Sequence, residues 1–424
     1  MNATPVQPTP SPRPSRTLRR WRAATLLLLL ALLTVVAIES RLPRRLAGAM
    51  QPRTFPWQSP EAQALAAVQA ETRRQLKELP PTSSRVALDG SRLESAVRGW
   101  QASRPVNTWP NACLAYGVLA AAQADGNAAD LAALQRFADR LVTPEGKFRE
   151  PLRGVEQAMI GPVLLELAQR NAGPRHRIAA TELQDFLLKQ HPRTSAGTLP
   201  YSTGQKEVLL VDTLPMVCPF LAASATLLAS PEAANLAARQ LTEFHARAVD
   251  PATGLPWHAY RADGGPAYGV LGWTRGCGWY AVALAETLAN LPPDHPARTP
   301  LAAAFEQVIQ AATSRQQPDG LWRWCLSIPE GGKDTSGSAL LAWAIERGCR
   351  SGVLPERHLP TGRRALAGVL LHTDQRGTVG QALGECQGVG HYPRVFGAYP
   401  WAQGPTDAAL AWSQAGRPVG AQGR

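Results

Sequence analysis

The densest chemical signal in the chain is the run Leu271-Gly272-Trp273-Thr274-Arg275-Gly276-Cys277-Gly278-Trp279-Tyr280, which leads straight into the apolar stretch Ala281 to Leu288. Two indoles flank one guanidinium. A Trp face covers the apolar side of a sugar ring, and Arg offers a planar fork that meets a carboxylate through two N–H donors, so Trp273, Arg275 and Trp279 together suit an acidic sugar. Core packing and a helix-entry arginine would use the same residue types. A second candidate is Asp212, at the start of the apolar stretch Leu214 to Leu228. A carboxyl in that place either caps the helix or works as a general acid. Glu156 reads as a solvated first-turn acid or as a positioned one. His258 could hydrogen-bond a uronate, and Trp109 and Tyr201 could wall a sugar site or pack in the core. No HExxH, CxxC with histidines, phosphate-binding glycine loop or GxSxG is present. Metal, nucleotide and serine-hydrolase chemistry therefore have no foothold.

These side chains need a scaffold, and the pattern from Ser59 onward is helical, with Ala- and Leu-rich stretches separated by short loops of Gly, Pro and Asp. The spacing predicts helices over 60–79, 90–103, 111–124, 128–142, 155–170, 175–190, 212–229, 232–248, 277–290, 298–315, 335–350, 361–372 and 404–415. The loops after alternate helices resemble one another: Pro144-Glu145-Gly146, Gly197-Thr198-Leu199-Pro200-Tyr201, Gly254-Leu255-Pro256-Trp257 and Asp319-Gly320-Leu321-Trp322, with Asp374-Gln375-Arg376-Gly377 a degenerate fifth copy. Their glycines are 51, 57, 66 and 57 residues apart, the length of one helical hairpin plus its loops. Six such hairpins closed in a ring make an all-α fold, an (α/α)6 barrel or six-hairpin toroid. An open solenoid would show the same repeat, but aromatic and charged loops suit a pocket better than a stacking edge.

The Trp-Arg run resembles the WxRGxGW motif of the unsaturated uronyl hydrolases, glycoside hydrolase families 88 and 105. Val211-Asp212-Thr213-Leu214-Pro215-Met216 is similar to the segment carrying that family's catalytic Asp, and Asp334-Thr335-Ser336-Gly337-Ser338-Ala339 to its late (E/D)TSxSA helix start. Trp257-His258-Ala259-Tyr260 resembles the loop histidine ahead of the Trp-Arg motif, and Asn107-Thr108-Trp109-Pro110 its early aromatic. The resemblance covers roughly residues 100 to 412. It implies the (α/α)6 fold, no cofactor and no metal, and release of a terminal 4,5-unsaturated uronic acid from acidic oligosaccharides by hydration of the double bond. It makes Asp212 the general acid and base, and His258, Trp109, Tyr201, Trp273, Arg275 and Trp279 substrate contacts. Where the family has a second Asp, Gly154-Val155-Glu156-Gln157 holds Glu156, whose extra methylene displaces the carboxylate. That departure leaves two alternatives standing: a divergent glycan-binding barrel, or a hydrolase of a saturated acidic glycan. A terpene-cyclase toroid, suggested by Gln316 to Trp322, lacks the Asp-rich motif that class needs.

The net charge of +12 would favour a nucleic-acid partner if it were evenly spread. Residues 1–53 hold nine Arg against one acid, Glu39, a net +8 that leaves +4 for the rest. The body is nearly neutral, and no nucleic-acid partner is expected. The basic tail brackets an uncharged run of 16 residues, Ala23 to Ile38. It reads as a transmembrane anchor or a signal-peptide core, with a disordered basic stub over 1–22, a linker over 39–58 and the barrel over 59–424. Arginines ahead of the run outnumber those behind it, which expects export, with the body held at the inner membrane in the periplasm or outside. The six cysteines form no close pair and are expected as small buried hydrophobes.

Overall fold

The computed structural model describes residues 16–39, 61–79, 107–170, 173–392 and 394–415. The start of the basic stub, nearly all of the linker and the expected helix 90–103 lie outside the described residues. Residue contacts divide the chain into two units, Met1–Arg53 with Arg85–Arg104, and Thr54–Ser84 with Pro105–Arg424.

The described part of the first unit is one helix, α1, Arg16–Glu39. Its leucines Leu26 to Leu30, Leu32 and Leu33 are exposed. The expected membrane-spanning helix finds no support: among the described residues no helix is long and apolar enough to cross a membrane. Arg16, Arg19, Arg20 and Arg22 occupy the first two turns of α1, so its uncharged part falls short of the ~20 residues a span requires.

The second unit contains α2 (Glu61–Glu78), α3 (Trp109–Asp125), α4 (Ala128–Leu141), α5 (Gly161–Gln169), α6 (Pro174–Asp185), α7 (Thr213–Leu227) and α8 (Pro231–Ala248). There follow α9 (Thr274–Asn290), α10 (Arg298–Thr313), α11 (Thr335–Arg350), α12 (Leu359–Leu370) and α13 (Pro400–Gln414). A 3-10 turn, Val155–Ile160, leads into α5, and a π turn, Phe186–Gln190, ends α6. Two antiparallel strand pairs stand in the loops: β1 (Val208–Leu210) with β2 (Ala259–Arg261), and β3 (Ala382–Leu383) with β4 (Phe396–Gly397).

Helices α3, α5, α7, α9, α11 and α13 pack each on the next, and α13 returns to α3, closing a ring. The remaining six pack behind them, α2 against both α3 and α13. This is the (α/α)6 arrangement. Inner helices have neighbours on every side and are buried all round: each residue from Thr274 to Leu288 of α9 and from Pro400 to Ala411 of α13 is buried. An outer helix buries one stripe, as Asp130, Ala133, Leu134, Phe137, Ala138 and Leu141 do in α4. The seam between the first and last inner helices is two glycines in backbone contact. A Cβ on Gly404 would stand 1.9 Å from the Cys113 carbonyl oxygen, and one on Gly117 2.5 Å from that of Gly404.

The repeat glycines are five copies of one turn. Gly146, Gly197, Gly254, Gly320 and Gly377 all have φ between 69° and 88°, a left-handed conformation that glycine adopts without strain. Each turn ends an outer helix and abuts the following outer helix; the last, at Gly377, reaches Ala67 and Val68 of α2 and so completes the circle. Two helix starts differ from expectation. The α9 helix begins at Thr274, ahead of Gly276 and Gly278, because these glycines make room for Trp273 and Leu340 instead of ending the helix. The α13 helix begins at Pro400, a first helical position where proline costs no hydrogen bond, and runs on through Pro405, which forgoes the bond to the Trp401 carbonyl.

Candidate active site

The β1–β2 ladder pairs Val208 with Arg261, Leu209 with Tyr260 and Leu210 with Ala259. It continues one step further, where Val211 N–H donates to the His258 carbonyl at 2.8 Å. Asp212 is the next residue, so the register alone makes it a neighbour of His258. Their side chains meet, His258 Nε2 to Asp212 Oδ2, at 3.0 Å. The imidazole is fully enclosed, while the carboxylate keeps 20% exposure. Asp212 occupies the N-cap position of α7 yet makes no capping hydrogen bond. Asp334, at the same place on α11, does cap: its Oδ1 accepts from Ser336 N (2.9 Å) and its Oδ2 from Gly337 N (3.2 Å).

On its other side His258 Nδ1 is hydrogen-bonded to the Tyr392 hydroxyl, which also accepts from Val270 N–H at 3.3 Å. Tyr392 lies against Trp273 and Trp324, with ring centroids 5.4 and 5.8 Å away. Burial, and behind it the neighbouring Cys386 and Asp212, push its hydroxyl pKa up. The Cys386 thiol is raised to about 12 by burial and then by the Asp212 charge. Sequence reasoning missed both residues. The signal available was the segment Gly388-Val389-Gly390-His391-Tyr392, two of whose glycines have φ of 106° and 98° and fold the loop back.

Arg275 is fully buried. Its guanidinium donates to the Leu383 carbonyl at 2.8 Å and the Gly384 carbonyl at 3.0 Å. It lies over Trp273 at 4.7 Å and Trp401 at 5.6 Å. Leu383 O also accepts from Trp401 Nε1 (2.9 Å), and Leu383 N donates to Asp334 Oδ1 (2.9 Å). The heads of α9, α11 and α13 thus grip β3, from which the chain runs on to Tyr392. Trp273 and Trp279 are buried as well, while Trp109 is half-buried, edge-on to Trp279 at 6.4 Å and tilted on Trp401 at 5.0 Å.

Glu156, in the first turn of the 3-10 segment, accepts a hydrogen bond from the Tyr201 hydroxyl. Tyr201 N in turn donates to Val208 O of β1 at 3.2 Å. The 3-10 segment packs on α7. One sequence of bonded contacts therefore leads from Glu156 through Tyr201 to β1, whose chain runs on to Asp212 two residues later. All eight sequence candidates lie at the N-terminal end of the inner ring or in the loops joined to it. Among the described residues no group of three or more His, Cys, Asp or Glu could hold a metal ion. The six thiols are unpaired, five of them buried and Cys386 half-buried.

Known proteins share this architecture. A possible member of family GH105 from Salmonella enterica superposes with a TM-score of 0.71 at 19% identity, covering 86% of this chain and 96% of that one. The unsaturated glucuronyl hydrolase of Bacillus sp. GL1 superposes at 0.64 with 15% identity, covering 84% and 98%. In sequence, the unsaturated rhamnogalacturonyl hydrolase YesR of Bacillus subtilis is 25% identical over 276 residues, 64% of this chain and 77% of YesR. The model of Glycosyl Hydrolase Family 88 matches residues 87–406, and since that stretch spans most of the chain and both the Asp212–His258 pair and the Trp-Arg run, the chain belongs to this family of glycoside hydrolases.

Proposed function

We propose that the enzyme removes a terminal 4,5-unsaturated uronic acid from acidic oligosaccharides by hydrating the double bond, with Asp212 as general acid and then base. The observation that carries this reading is the aspartate that heads α7 without capping it and is held by an enclosed histidine. His258 secures Oδ2, and Oδ1 would be the oxygen that meets the substrate. A proton from Oδ1 to C4 of the vinyl ether leaves positive charge shared by C5 and the ring oxygen, and the carboxylate so formed takes a proton from the water that adds at C5. The hemiketal opens and the next sugar departs. No redox or metal step enters the balance. The half-buried Glu156–Tyr201 pair and Trp109 would border the bound ring, and the names of YesR and of the Bacillus glucuronyl hydrolase support the substrate class. Trp273, Trp279 and Arg275 would shape the site from behind, since their own surfaces are covered.

The test is ultraviolet absorbance of the conjugated double bond during incubation with unsaturated oligosaccharides from pectin, glycosaminoglycan and ulvan lyases. Loss of absorbance with wild type, and a fall of about 10²-fold or more in Asp212→Asn, is the expected result. A folded protein that binds but never consumes these substrates would overturn it in favour of a glycan-binding barrel or a saturated substrate. Export, with the apolar run of α1 serving as a signal-peptide core, is likewise proposed. It is supported by the arginine-flanked apolar run and its exposed leucines. Fractionation with alkaline extraction tests it, and a cytosolic protein with an intact N-terminus would refute it.

A further inference from the structure

We propose that Tyr201 is a positioning residue and no sugar contact: its hydroxyl holds the Glu156 carboxylate so that this longer acid presents one oxygen to the bound ring, and the two residues work as a matched pair. The inference rests on the hydrolase reading above, in which Glu156 borders the substrate, and assigns the phenol to the acid.

The donor is a fixed point. Two residues ahead of Tyr201, both backbone groups of Leu199 are held by the buried Gln240 of α8, the N–H donating to Oε1 at 2.8 Å and the carbonyl accepting from Nε2 at 2.9 Å. Tyr201 N–H itself donates to the Val208 carbonyl of β1 at 3.2 Å, and its ring packs on the core. A tyrosine anchored in this way has two side-chain torsions left to order, so its hydroxyl is a nearly stationary group.

The turn that carries Glu156 is fixed as well. Gln157 Oε1 accepts from the N–H groups of Arg153 at 2.6 Å and Gly154 at 3.3 Å, while its Nε2 donates to the Pro151 carbonyl at 3.1 Å. The Gln157 carbonyl accepts from Asn107 Nδ2 at 3.4 Å. The 3-10 segment packs on α3 and on α7, so Glu156 stands beside the helix that Asp212 heads. What the backbone leaves open is the Glu156 side chain, whose rotatable bonds would spread an unheld carboxylate over several rotamers. The Tyr201 hydroxyl selects one of them by donating to Oε1, and Oε2 would be the oxygen that meets the substrate. An aspartate on the same turn is one C–C bond shorter, about 1.5 Å, and would not reach the phenol. The longer acid and the tyrosine therefore belong together.

The experiment is a double-mutant cycle in the full chain with Tyr201→Phe, Glu156→Asp and both, reading kcat and KM on an unsaturated disaccharide. Tyr201→Phe is expected to lower kcat on the order of tenfold with KM within about twofold, since the acid is kept and only its placement is lost. In the Glu156→Asp background the same change is expected to alter kcat by less than about twofold, because the shorter acid no longer meets the phenol. An equal loss in both backgrounds overturns the pairing and leaves the hydrolase reading intact, since Tyr201 would then act on the substrate or the fold by itself. Crystal structures of wild type and Tyr201→Phe decide the point without any turnover. A Glu156 carboxylate that moves by more than about 1 Å, or spreads over several rotamers, supports the positioning role, and one that stays in place refutes it.

Discussion

The two aspartates that head α7 and α11 carry the sharpest residue-level contrast. Asp334 has its oxygens on backbone amides, so Asp334→Ala should cost about 1 to 2 kcal/mol of stability, read as a lower urea midpoint at unchanged slope. Asp212 caps nothing, so Asp212→Asn should leave that midpoint nearly unmoved while turnover falls. Tyr392→Phe removes the hydroxyl that orients His258; kcat is expected to fall about tenfold with little change in KM, because the imidazole loses one of its two anchors and the bound ring keeps its walls. A fall in stability with unchanged kcat would refute that positioning role. The Asp212 segment, His258 and the Trp-Arg run could be singled out from the sequence because each lies in a short distinctive string. Tyr392 was less legible, since it meets His258 across 134 residues of chain and only the two glycines ahead of it mark its loop as folding back. Arg275 shows a different limit: its fork was legible, but its partners are the carbonyls of Leu383 and Gly384, and a backbone carbonyl leaves no trace in residue identity.

At the scale of elements, β3 is the piece that ties the loop of Tyr392 to the barrel. Arg275→Lys keeps the charge, but one ammonium cannot reproduce the planar fork, so about 2 kcal/mol of local stability is expected to go, with faster proteolysis between Gly384 and Tyr399 before global unfolding. Equal protection of that segment in both proteins would refute the clamp. The repeat turns were the most legible elements, because a glycine at near-constant spacing reports a conformation that other residues avoid. Gly320→Ala tests this: its φ is 87°, and the added Cβ would stand 1.9 Å from Arg364 O, a backbone atom of the next outer helix. A loss of about 2 to 4 kcal/mol is expected in urea unfolding. The helix starts of α9 and α13 were less legible. Local rules start these helices at 277 and 404, whereas tight packing keeps Gly276 helical and Pro400 serves as a first helical residue, so both begin several residues earlier.

For the whole molecule the question is what makes six hairpins a ring instead of a solenoid, which repeat spacing alone left open. Closure needs the last inner helix to reach the first, and α13 meets α3 with Gly404 and Gly117 in backbone contact. Neither helix can retreat easily, because α2 packs across both from behind. A side chain at Gly404 would wedge the seam open, and with it the ring that holds the heads of α9, α11 and α13 around β3. Gly404→Val is therefore expected to cost more than about 4 kcal/mol and to give an expanded or aggregated product by size-exclusion chromatography. Gly126→Ala supplies the comparison: it too replaces a helix-associated glycine, at φ 71°, but nothing lies within 4 Å of the new Cβ. Its cost should stay near the ~1 kcal/mol of a left-handed alanine, with an unchanged elution volume. Similar modest losses in both variants would show that the seam tolerates a side chain and that closure rests on the remaining ring contacts.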